Sequence, residues 1–554
     1  MREAITFFPD IAIFQAISKG KTMPSKWPNG IQFKEIILSV NEKSCRQCGN
    51  ELSICCHREH RIYTLEGPVK LVCKQAHCSN KGCSCRSTVI SPESELTITM
   101  PRWRVDWCLF SWMGFRRFKR HWSVPQIRDE LLDSYQISLS EDTISDYLGM
   151  YQVMVAARHQ DMKKWQDEYK DCLGVILSID GLQPEKGHET LYVVRELQRR
   201  RVWFAEALIS SSYAEVRKLI QRAKDLAQQL SKPILGWISD KQDAFVTIIA
   251  EECANVPHRY CSNHFIRDLA EPVLEKDSHA KVQMRRKVRG LRPLEKETLA
   301  ELDQYHEQDG KLTYTQQAYA ANIVLDYCAA VRGILNDNHG GPLKPPGLRM
   351  AKALEEVSWS IGRNLNQRKT PIYSKLKRLQ GCINRGLSIY QKDRREIEQY
   401  VREIEKVSNT LNAEDGTVKS RLSEFQKLKS QLVDANDLVK KHMSETMHSF
   451  EAGLFVGSDD LQIPEDNLDL ERWFKKPKGH ERRIHGRKHV GMRVVTEGPT
   501  LLPALDAHLI QSKPFTYQDL LPYAYVKPPE SQIRSLECKR IMTKASSKKK
   551  DHPS

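Results

Sequence analysis

Two aspartates in the middle of the chain each end a short apolar run. The first run extends from Gly174 to Asp180, and the second extends from Pro233 to Asp240. Runs that are this short, rich in β-branched residues and bounded by turn residues are typical of buried strands. A carboxylate at the end of a buried strand is costly unless a cation pairs with it. The pattern therefore indicates either a pair of metal-binding acids or two aspartates that only cap the turns after their strands.

The segments between these aspartates predict the elements that would position them. Two further strands are predicted at Glu189–Glu196 and Arg201–Leu208, followed by an amphipathic helix at Tyr213–Leu230. The order is strand, strand, strand, helix, strand, which is the order of an RNase H-like core. In that core the first and fourth strands are neighbours. We therefore expect Asp180 and Asp240 to converge.

The composition indicates a large globular chain with an anionic partner. The chain has 554 residues, enough for several domains, and a formal net charge of +16 with a pI of about 9.1. Clustered basic charge favours nucleic acid, although a solubilising surface gives the same total. No stretch approaches the roughly 18 consecutive apolar residues of a membrane span, and the N-terminus lacks a secretory pattern. We predict a soluble cytoplasmic protein, nucleoid-associated if it is prokaryotic, with no membrane partner.

Eight of the fifteen cysteines lie between Cys45 and Cys85. Such crowding in a long, non-secreted chain favours a metal site over a disulfide framework. Four thiolates leave no open coordination position, which suits structural zinc. The preferred ligands are Cys45, Cys48, Cys78 and Cys83. Cys73 and Cys85 remain alternatives, and the alternating residues around Gly67 predict the hairpin of a zinc ribbon.

A basic helical region follows the cysteines. Its candidate DNA-binding side chains are Arg116, Arg117, Lys119 and Arg120. Ser123 is predicted to cap one short helix, and Ser140 is predicted to cap a second helix after a tight turn. Two such helices indicate a helix-turn-helix motif, with an ordinary helical hairpin as the alternative.

The chain from about Leu269 to Leu461 is predicted to be almost wholly helical, with an antiparallel helical hairpin between Tyr373 and Lys441. Beyond it, Glu471 precedes a dense basic run, so an acid and phosphate-binding cations lie together. Candidate DNA-binding residues in this run are Lys475, Lys476, Arg482 and Arg483. A solvated basic helix is the alternative. Pro477 is expected to end the helix after Glu471 early.

In their order along the chain, these motifs resemble a DDE transposase of the bacterial insertion-sequence type related to Mutator-like elements. The resemblance covers about residues 40 to 500. It implies that Cys261-Ser-Asn-His264 is the supporting C-x-x-H motif of the family. It also implies that Glu471 is the third acid beyond a helical insertion, with Glu355 or Glu356 as an alternative.

The resulting fold class is a multidomain α+β protein. It has an N-terminal zinc ribbon and helix-turn-helix, and an RNase H-like α/β catalytic core that a large all-α insertion interrupts. The predicted domains are an N-terminal segment (1–40), the zinc ribbon (41–95), the helix-turn-helix region (96–165), the first part of the core (170–268), the helical insertion (269–461), the last part of the core with the third acid (462–500) and a C-terminal basic tail (501–554).

The resemblance implies metal-dependent DNA cleavage and strand transfer. Asp180, Asp240 and Glu471 would hold Mg²⁺ or Mn²⁺, because hard cations prefer oxygen ligands. Zn²⁺ would be structural. The implied partners are the terminal inverted repeats of an element and a target DNA, bound by a homo-oligomer on paired ends. Two alternatives are a DNA-binding regulator or inactive transposase relic, and an RNase H-like nuclease that does not transpose.

Overall fold

The computed structural model of the chain describes residues 27, 30–183, 189–288, 290–307, 313–367, 372–433, 436–457, 463–486 and 491–537. The protein is mixed α+β and 61% helical, with two small sheets, so the predicted α+β class is confirmed. Most of the predicted N-terminal segment and the end of the predicted basic tail lie outside the described residues. The chain forms two compact units. The first extends to Met154 and includes Gln511–Tyr525, and the second comprises Val155–Ile510 with the residues from Val526 onward.

The first unit contains a small sheet followed by helices. Its elements are β1 (Lys34–Ser39), β2 (Leu52–Thr64), β3 (Gly67–Cys78), α1 (Glu95–Ile98), α2 (Trp107–Phe118), α3 (Val124–Tyr135) and α4 (Glu141–His159), the last of which ends in the second unit. β2 and β3 form the predicted antiparallel hairpin, and β1 lies parallel to β3. Gly67 opens the second strand of the hairpin with a φ of +122°, a conformation that glycine adopts without steric cost.

The helices α3 and α4 occupy the predicted positions of the helix pair. Ser123 caps α3 as predicted, in a reciprocal capping box with Gln126. Gln136 ends α3 in the left-handed conformation, and the following Ile137 is buried. The aromatic side chains of α2 belong to the interior of this unit, where Trp107 and Phe110 pack edge to face. Their burial fixes α2 in the unit, which leaves only its polar side chains for contacts with a ligand.

The second unit is built on a five-stranded sheet. Its elements up to the helical block are α5 (Met162–Glu168), β4 (Val175–Leu182), β5 (Thr190–Glu196), β6 (Arg201–Leu208), α6 (Tyr213–Gln229), β7 (Ile234–Ser239), α7 (Asp243–Glu252), β8 (His258–Tyr260) and α8 (Ser262–Leu269). The strand order is β6-β5-β4-β7-β8. β5 is antiparallel to both of its neighbours, β4 and β6, whereas β7 and β8 continue parallel to β4. The predicted adjacency of the first and fourth strands is therefore confirmed.

The sheet is held by burial and by close backbone packing. The β4 side chains from Val175 to Ile179 are all buried, as the unbroken apolar run predicts for a central strand. The apolar stripes of α6 and α7 pack on the sheet in one continuous hydrophobic cluster. In β7, a Cβ at Gly236 would lie only 2.3 Å from Cδ1 of Ile463. Because Gly236 has no side chain, the segment that contains Ile463 can pack closely against β7.

The helical block follows, as predicted. Its helices are α9 (Glu271–Val288), α10 (Leu291–Glu307), α11 (Thr313–Asn336), α12 (Pro346–Gln367), α13 (Tyr373–Asn409), α14 (Val418–Gln431) and α15 (Leu438–Leu454). α13 and α14 are the predicted pair of long helices, with Gly416 in the turn at a φ of +130°. One large hydrophobic cluster joins this block to α8.

One stretch of the described chain, Gln317–Asn336 in α11, is long and apolar enough to span a membrane by length and composition. Its side chains Val324, Cys328 and Val331 are buried in the hydrophobic cluster of the helical block. A helix that inserts one apolar face into a protein interior passes the same test of length and hydropathy. The stretch is therefore only weak evidence for a membrane span.

One of the helices near the end of the chain corrects a prediction. α16 (Leu468–His485) continues through Pro477, so the prediction that it ends early is wrong. Proline removes one amide donor, but Pro477 is itself buried on the face of α16 that also buries Phe474 and Ile484, and the burial of this face offsets the lost bond. α17 (Gly491–Ile510) runs across the predicted domain boundary at residue 500. The short helix α18 (Tyr517–Leu520) then belongs to the first unit.

Candidate metal centres and nucleic-acid surface

Four of the clustered cysteines meet at one point in the first unit. The sulfur atoms of Cys45, Cys48, Cys78 and Cys83 all lie within 4.8 Å of one another. The Sγ atoms of Cys45 and Cys83 are 3.9 Å apart, and those of Cys48 and Cys78 are 3.4 Å apart. A tetrahedral zinc site with Zn–S bonds of about 2.3 Å needs S–S separations of about 3.8 Å. The four predicted ligands can therefore hold a metal such as zinc.

Local backbone geometry presents these thiols. Cys45 begins a tight turn in which the Gly49 amide donates to the Cys45 carbonyl at 2.9 Å, and Gly49 has a φ of +72°. Backbone amides of Cys48 and Gln47 point at the Cys45 sulfur and lower the pKa of that thiol to about 6. Cys78 ends β3, and Cys83 precedes a short 3₁₀ turn. A thiol with a lowered pKa supplies the thiolate that a metal ion needs.

The two alternative ligands lie elsewhere. Cys73 is fully buried among Ile62 and Leu71, and burial raises the pKa of its thiol to about 11. Cys85 lies outside the group of four, with its sulfur 3.0 Å from the side-chain oxygen of Gln47. Cys73 is thus a small apolar core residue, and Cys85 contacts the rim of the cluster.

In the second unit, the sheet brings Asp180 and Asp240 to one edge. β4 and β7 are adjacent and parallel, and each aspartate lies at the carboxyl end of its strand. The Gly181 amide donates to Oδ1 of Asp180 at 2.7 Å. Burial, reinforced by the negative charge of Asp240, raises the pKa of Asp180 to about 7. Burial also raises the pKa of Asp240, and its Oδ1 is buried with no hydrogen-bond partner among the described residues.

Glu471 completes a group of acids around this edge. It lies in the first turn of α16, with Oε1 3.8 Å from Nδ1 of His264. The charge of Glu471 raises the pKa of Asp180, whereas that of His264 lowers it, so both side chains lie close to the aspartate. The ligand atoms of Cys261, His264 and Glu471 lie within 4.8 Å of one another. The structure therefore brings together all five residues that the sequence singled out for the core.

A buried asparagine anchors the helix that carries Glu471. Asn467 accepts a hydrogen bond from the Ser178 hydroxyl through Oδ1 and donates to the Ile179 carbonyl at 3.4 Å. Its backbone amide donates to the sulfur of Cys261 at 3.2 Å. Burial raises the pKa of Cys261 to about 12, so this thiol stays protonated. Asn467 was not predicted as a site residue, although it stands directly before the helix that begins at Leu468.

The alternative third acids lie elsewhere in the helical block. Glu355 forms an ion pair with Arg394 in α13, and Glu356 is exposed on α12. Neither side chain is among the charges that shift the pKa of Asp180, whereas Glu471 is. Of the three candidate third acids, Glu471 is therefore the one that lies near Asp180.

The basic residues of α16 differ in burial between those that were predicted to bind DNA and one that was not. Lys475, Lys476, Arg482 and Arg483 are exposed on the helix. Lys478 was not among the candidates, yet it is half-buried and lies near the charge of Asp180. Burial, together with the charge of Arg482, lowers the pKa of Lys478. Its spacing of seven residues from Glu471 puts both side chains on one face of the helix, a periodicity from which the sequence could have identified it.

The basic residues of the first unit divide into interior and exterior positions. Arg116 stacks over the Trp122 ring at 5.2 Å. Arg117 is only 5% exposed and donates to the Trp122 carbonyl at 3.1 Å, so its position fits support of the fold rather than contact with DNA. Lys119 is half-buried and Arg120 is exposed at the end of α2. Arg120 is therefore the most accessible of the four cations.

Comparison with known proteins adds no assignment: no protein-family model matches the chain, and no curated protein matches it significantly. The functional argument therefore rests on the residues and geometry of this chain.

Proposed function

We propose that this protein is a DNA transposase that cleaves and joins DNA through Asp180, Asp240 and Glu471. The observation that carries the proposal is the convergence of these acids at the carboxyl ends of β4 and β7. The strand order, with three antiparallel strands followed by two parallel ones, supports an RNase H-like core. Fold likeness alone would not define an activity, so the acids are the decisive feature.

The donor set fits a hard divalent cation. Three carboxylates approach one another in a partly buried edge, and one Asp240 oxygen lacks a protein partner among the described residues. A bound cation would reduce the repulsion among the carboxylates and would give the Asp240 oxygen a partner. Oxygen ligands suit Mg²⁺ or Mn²⁺. When bound, such ions activate the attacking oxygen and stabilise the leaving oxygen of a phosphodiester. Asp180 and Asp240 would hold them from the sheet, and Glu471 would hold them from α16.

The other residues at this edge of the sheet would position Glu471 or neutralise the charge of the DNA. Asn467 and Cys261 fix the start of α16 and thereby the place of Glu471. Lys478 lies on the face of α16 that carries Glu471, close to Asp180, where it would neutralise a DNA phosphate near the acids. His264 lies beside Glu471 and supplies a second polar group at the same edge. These assignments depend on the proposed chemistry.

The first unit would bind the ends of the element. Its zinc ribbon would act as a rigid support, because four thiolates leave no ligand position for a substrate. The pair α3 and α4 would present one helix to the major groove. We propose terminal inverted repeats and target DNA as the partners, bound by a homo-oligomer that pairs two ends.

The proposal is tested with labelled duplexes from the inverted repeats that flank the coding sequence. Cleavage and strand transfer are measured in Mg²⁺ and in Mn²⁺ for the wild type, Asp180→Asn, Asp240→Asn and Glu471→Gln. Glu355→Gln serves as the matched control, since it lies in the helical block. Loss of joined products in the three acid variants, with binding retained and the control active, supports the proposal.

Other outcomes overturn parts of the proposal. A wild type that binds the ends but never cuts, with either metal, indicates a regulator or an inactive relic. Cleavage without joining indicates a nuclease that does not transpose. If Glu471→Gln stays active while Glu355→Gln does not, the third acid has been misassigned.

A further inference from the structure

A cavity of about 280 Å³ lies in the second unit beside α16. Its walls are the turn between β5 and β6, one face of α16 and the end of α17. Six basic and three acidic side chains line it. No residue of this cavity belongs to the group of acids around Asp180.

The three acidic side chains of the cavity form ion pairs with arginines that also line it. Buried Arg195 lies 2.8 Å from Asp469 and 3.2 Å from Asp506, and Arg201 pairs with Glu168. Asp506 also accepts the indole N–H of Trp473 and the Val202 amide, which are internal to the fold. Two arginines are therefore used to satisfy the acids, and the remaining basic groups leave the cavity with a net positive charge.

Four cations remain at the rim, two on each wall. Arg199 and Arg200 stand on the turn, and Arg472 and Lys476 stand on α16; all four side chains are exposed. Arg200 approaches Asp469 only to 4.0 Å and is 77% exposed. Neither Arg472 nor Lys476 forms an ion pair within the described part of the chain. These side chains can therefore contact an anionic ligand without breaking a buried pair.

The turn that carries the two arginines is held rigidly. The buried carboxylate of Glu196 accepts hydrogen bonds from the amides of Gln198 and Arg199 at 2.8 and 2.7 Å. Arg200 adopts a left-handed conformation with a φ of +55°. A turn that is fixed in this way loses little conformational freedom on binding, which favours affinity. Exposed Ile510 adds an apolar contact at one side of the cavity.

The cavity lies on a different face of α16 from the one that carries Glu471. At about 100° per residue, Arg472 and Lys476 are displaced from Glu471 by about 100° and about 140° around the helix. Lys478, by contrast, returns to within about 20° of Glu471. A phosphate bound in this cavity is therefore a different one from the phosphate that would be cleaved beside the acids.

We propose that this cavity and its rim form a second DNA-backbone site, which binds phosphodiester groups of duplex DNA away from the position of cleavage. The inference rests on the proposed function for its choice of DNA. Arginine forms paired hydrogen bonds with phosphate, and three of the four rim cations are arginines. The opposed walls would hold one stretch of backbone between the turn and the helix.

The test compares two pairs of substitutions with the same chemistry. Arg472→Gln with Lys476→Gln alters the rim. The control, Arg402→Gln with Lys406→Gln, removes the same residue types at the same spacing from exposed positions on α13. Binding of a fluorescent duplex of about 30 base pairs is measured by anisotropy across a salt series. We expect the rim pair to weaken binding about tenfold or more, and to reduce the salt slope by about 2, because each phosphate contact contributes about 0.9.

The opposite wall provides an independent check. Arg199→Gln with Arg200→Gln must weaken binding in the same direction, since both walls contact one backbone. Unchanged binding in either rim pair, relative to the control pair, overturns the second site. A weakened rim pair in a protein that never cleaves DNA upholds the site while the proposed function fails. Normal binding by both rim pairs in a protein that cleaves DNA rejects the site alone.

Discussion

Replacement of Asp180 by Asn should remove a large pH dependence from the stability of the second unit. The folded protein holds the Asp180 carboxyl with a pKa raised to about 7 from 3.8, because the group is buried near Asp240. Between these two values the folded state binds more protons than the unfolded state. Stability therefore falls as the pH rises from about 4 to about 7. Asparagine does not titrate, and its side-chain oxygen can still accept the Gly181 amide.

The magnitude follows from the shift. One pKa unit corresponds to about 1.4 kcal/mol, so a rise of about 3 units sets an upper limit of about 4 kcal/mol. Stability changes only between the unfolded and folded pKa values, 3.8 and about 7. A measurement from about pH 5 to about pH 8 covers about 2 units of that interval, which gives about 3 kcal/mol. In the Asp180→Asn variant, Asp240 and Glu471 still lie at the same edge of the sheet and repel each other, so the variant keeps part of the pH dependence. We therefore expect the wild type to lose about 1–3 kcal/mol more than Asp180→Asn over this range.

The assay must report on the second unit, because a chain of two compact units need not unfold in one step. The protein is equilibrated in a series of urea concentrations at about pH 5 and at about pH 8, with a chelator to remove metal ions. The unfolded fraction in each sample is then measured by a short pulse of hydrogen exchange at one fixed pH. Peptides that cover β4 report the unfolding of the sheet. The control is Asp171→Asn, which alters an exposed aspartate close to the same strand. An equal pH dependence in the wild type and Asp180→Asn would refute the reasoning.

Three further outcomes follow from the geometry. Cys48→Ser should release the bound zinc, measured by elemental analysis of the purified protein, whereas Cys85→Ser should retain one ion per chain; equal zinc in both would contradict the ligand set. Lys478→Ala should slow DNA cleavage by about tenfold or more through loss of a phosphate contact near Asp180, and a normal cleavage rate would exclude that contact. Gly114→Ala should destabilise the first unit by about 1–3 kcal/mol in a thermal unfolding assay. Its Cβ would lie 2.3 Å from the Tyr151 ring, so an unchanged melting temperature would contradict this packing.

Local sequence patterns were sufficient for most of the secondary structure. The apolar runs before Asp180 and Asp240 are strands, because a short β-branched run without helical periodicity has no other way to bury both faces. Ser123 caps its helix because its side chain satisfies an amide that the helix leaves unpaired. The spacing of Cys45 and Cys48 predicted a ligand pair, since a tight turn brings both thiols to one side.

The same patterns did not predict Pro477 or the roles of all the cysteines. Pro477 breaks a rule of helix propensity, but tertiary packing of α16 outweighs one missing hydrogen bond. Cys73 has the residue type and spacing of a ligand, yet its side chain faces the hydrophobic core of the hairpin. Which face a residue occupies depends on strand register, and register is set by the pairing of whole strands.

Only the tertiary structure decided how the site is assembled. Ser178 and Asn467 are 289 residues apart in the chain, and their hydrogen bond places Glu471 at the end of β4. The sequence named Asp180 and Asp240 because each ends a predicted strand, and it named Glu471 from the basic run that follows it and from the family resemblance. Their convergence and the anchoring of α16 by Asn467 and Cys261 depend on how β4, β7 and α16 pack. Local residue types determine which elements form, whereas distances between remote side chains exist only after those elements share one core.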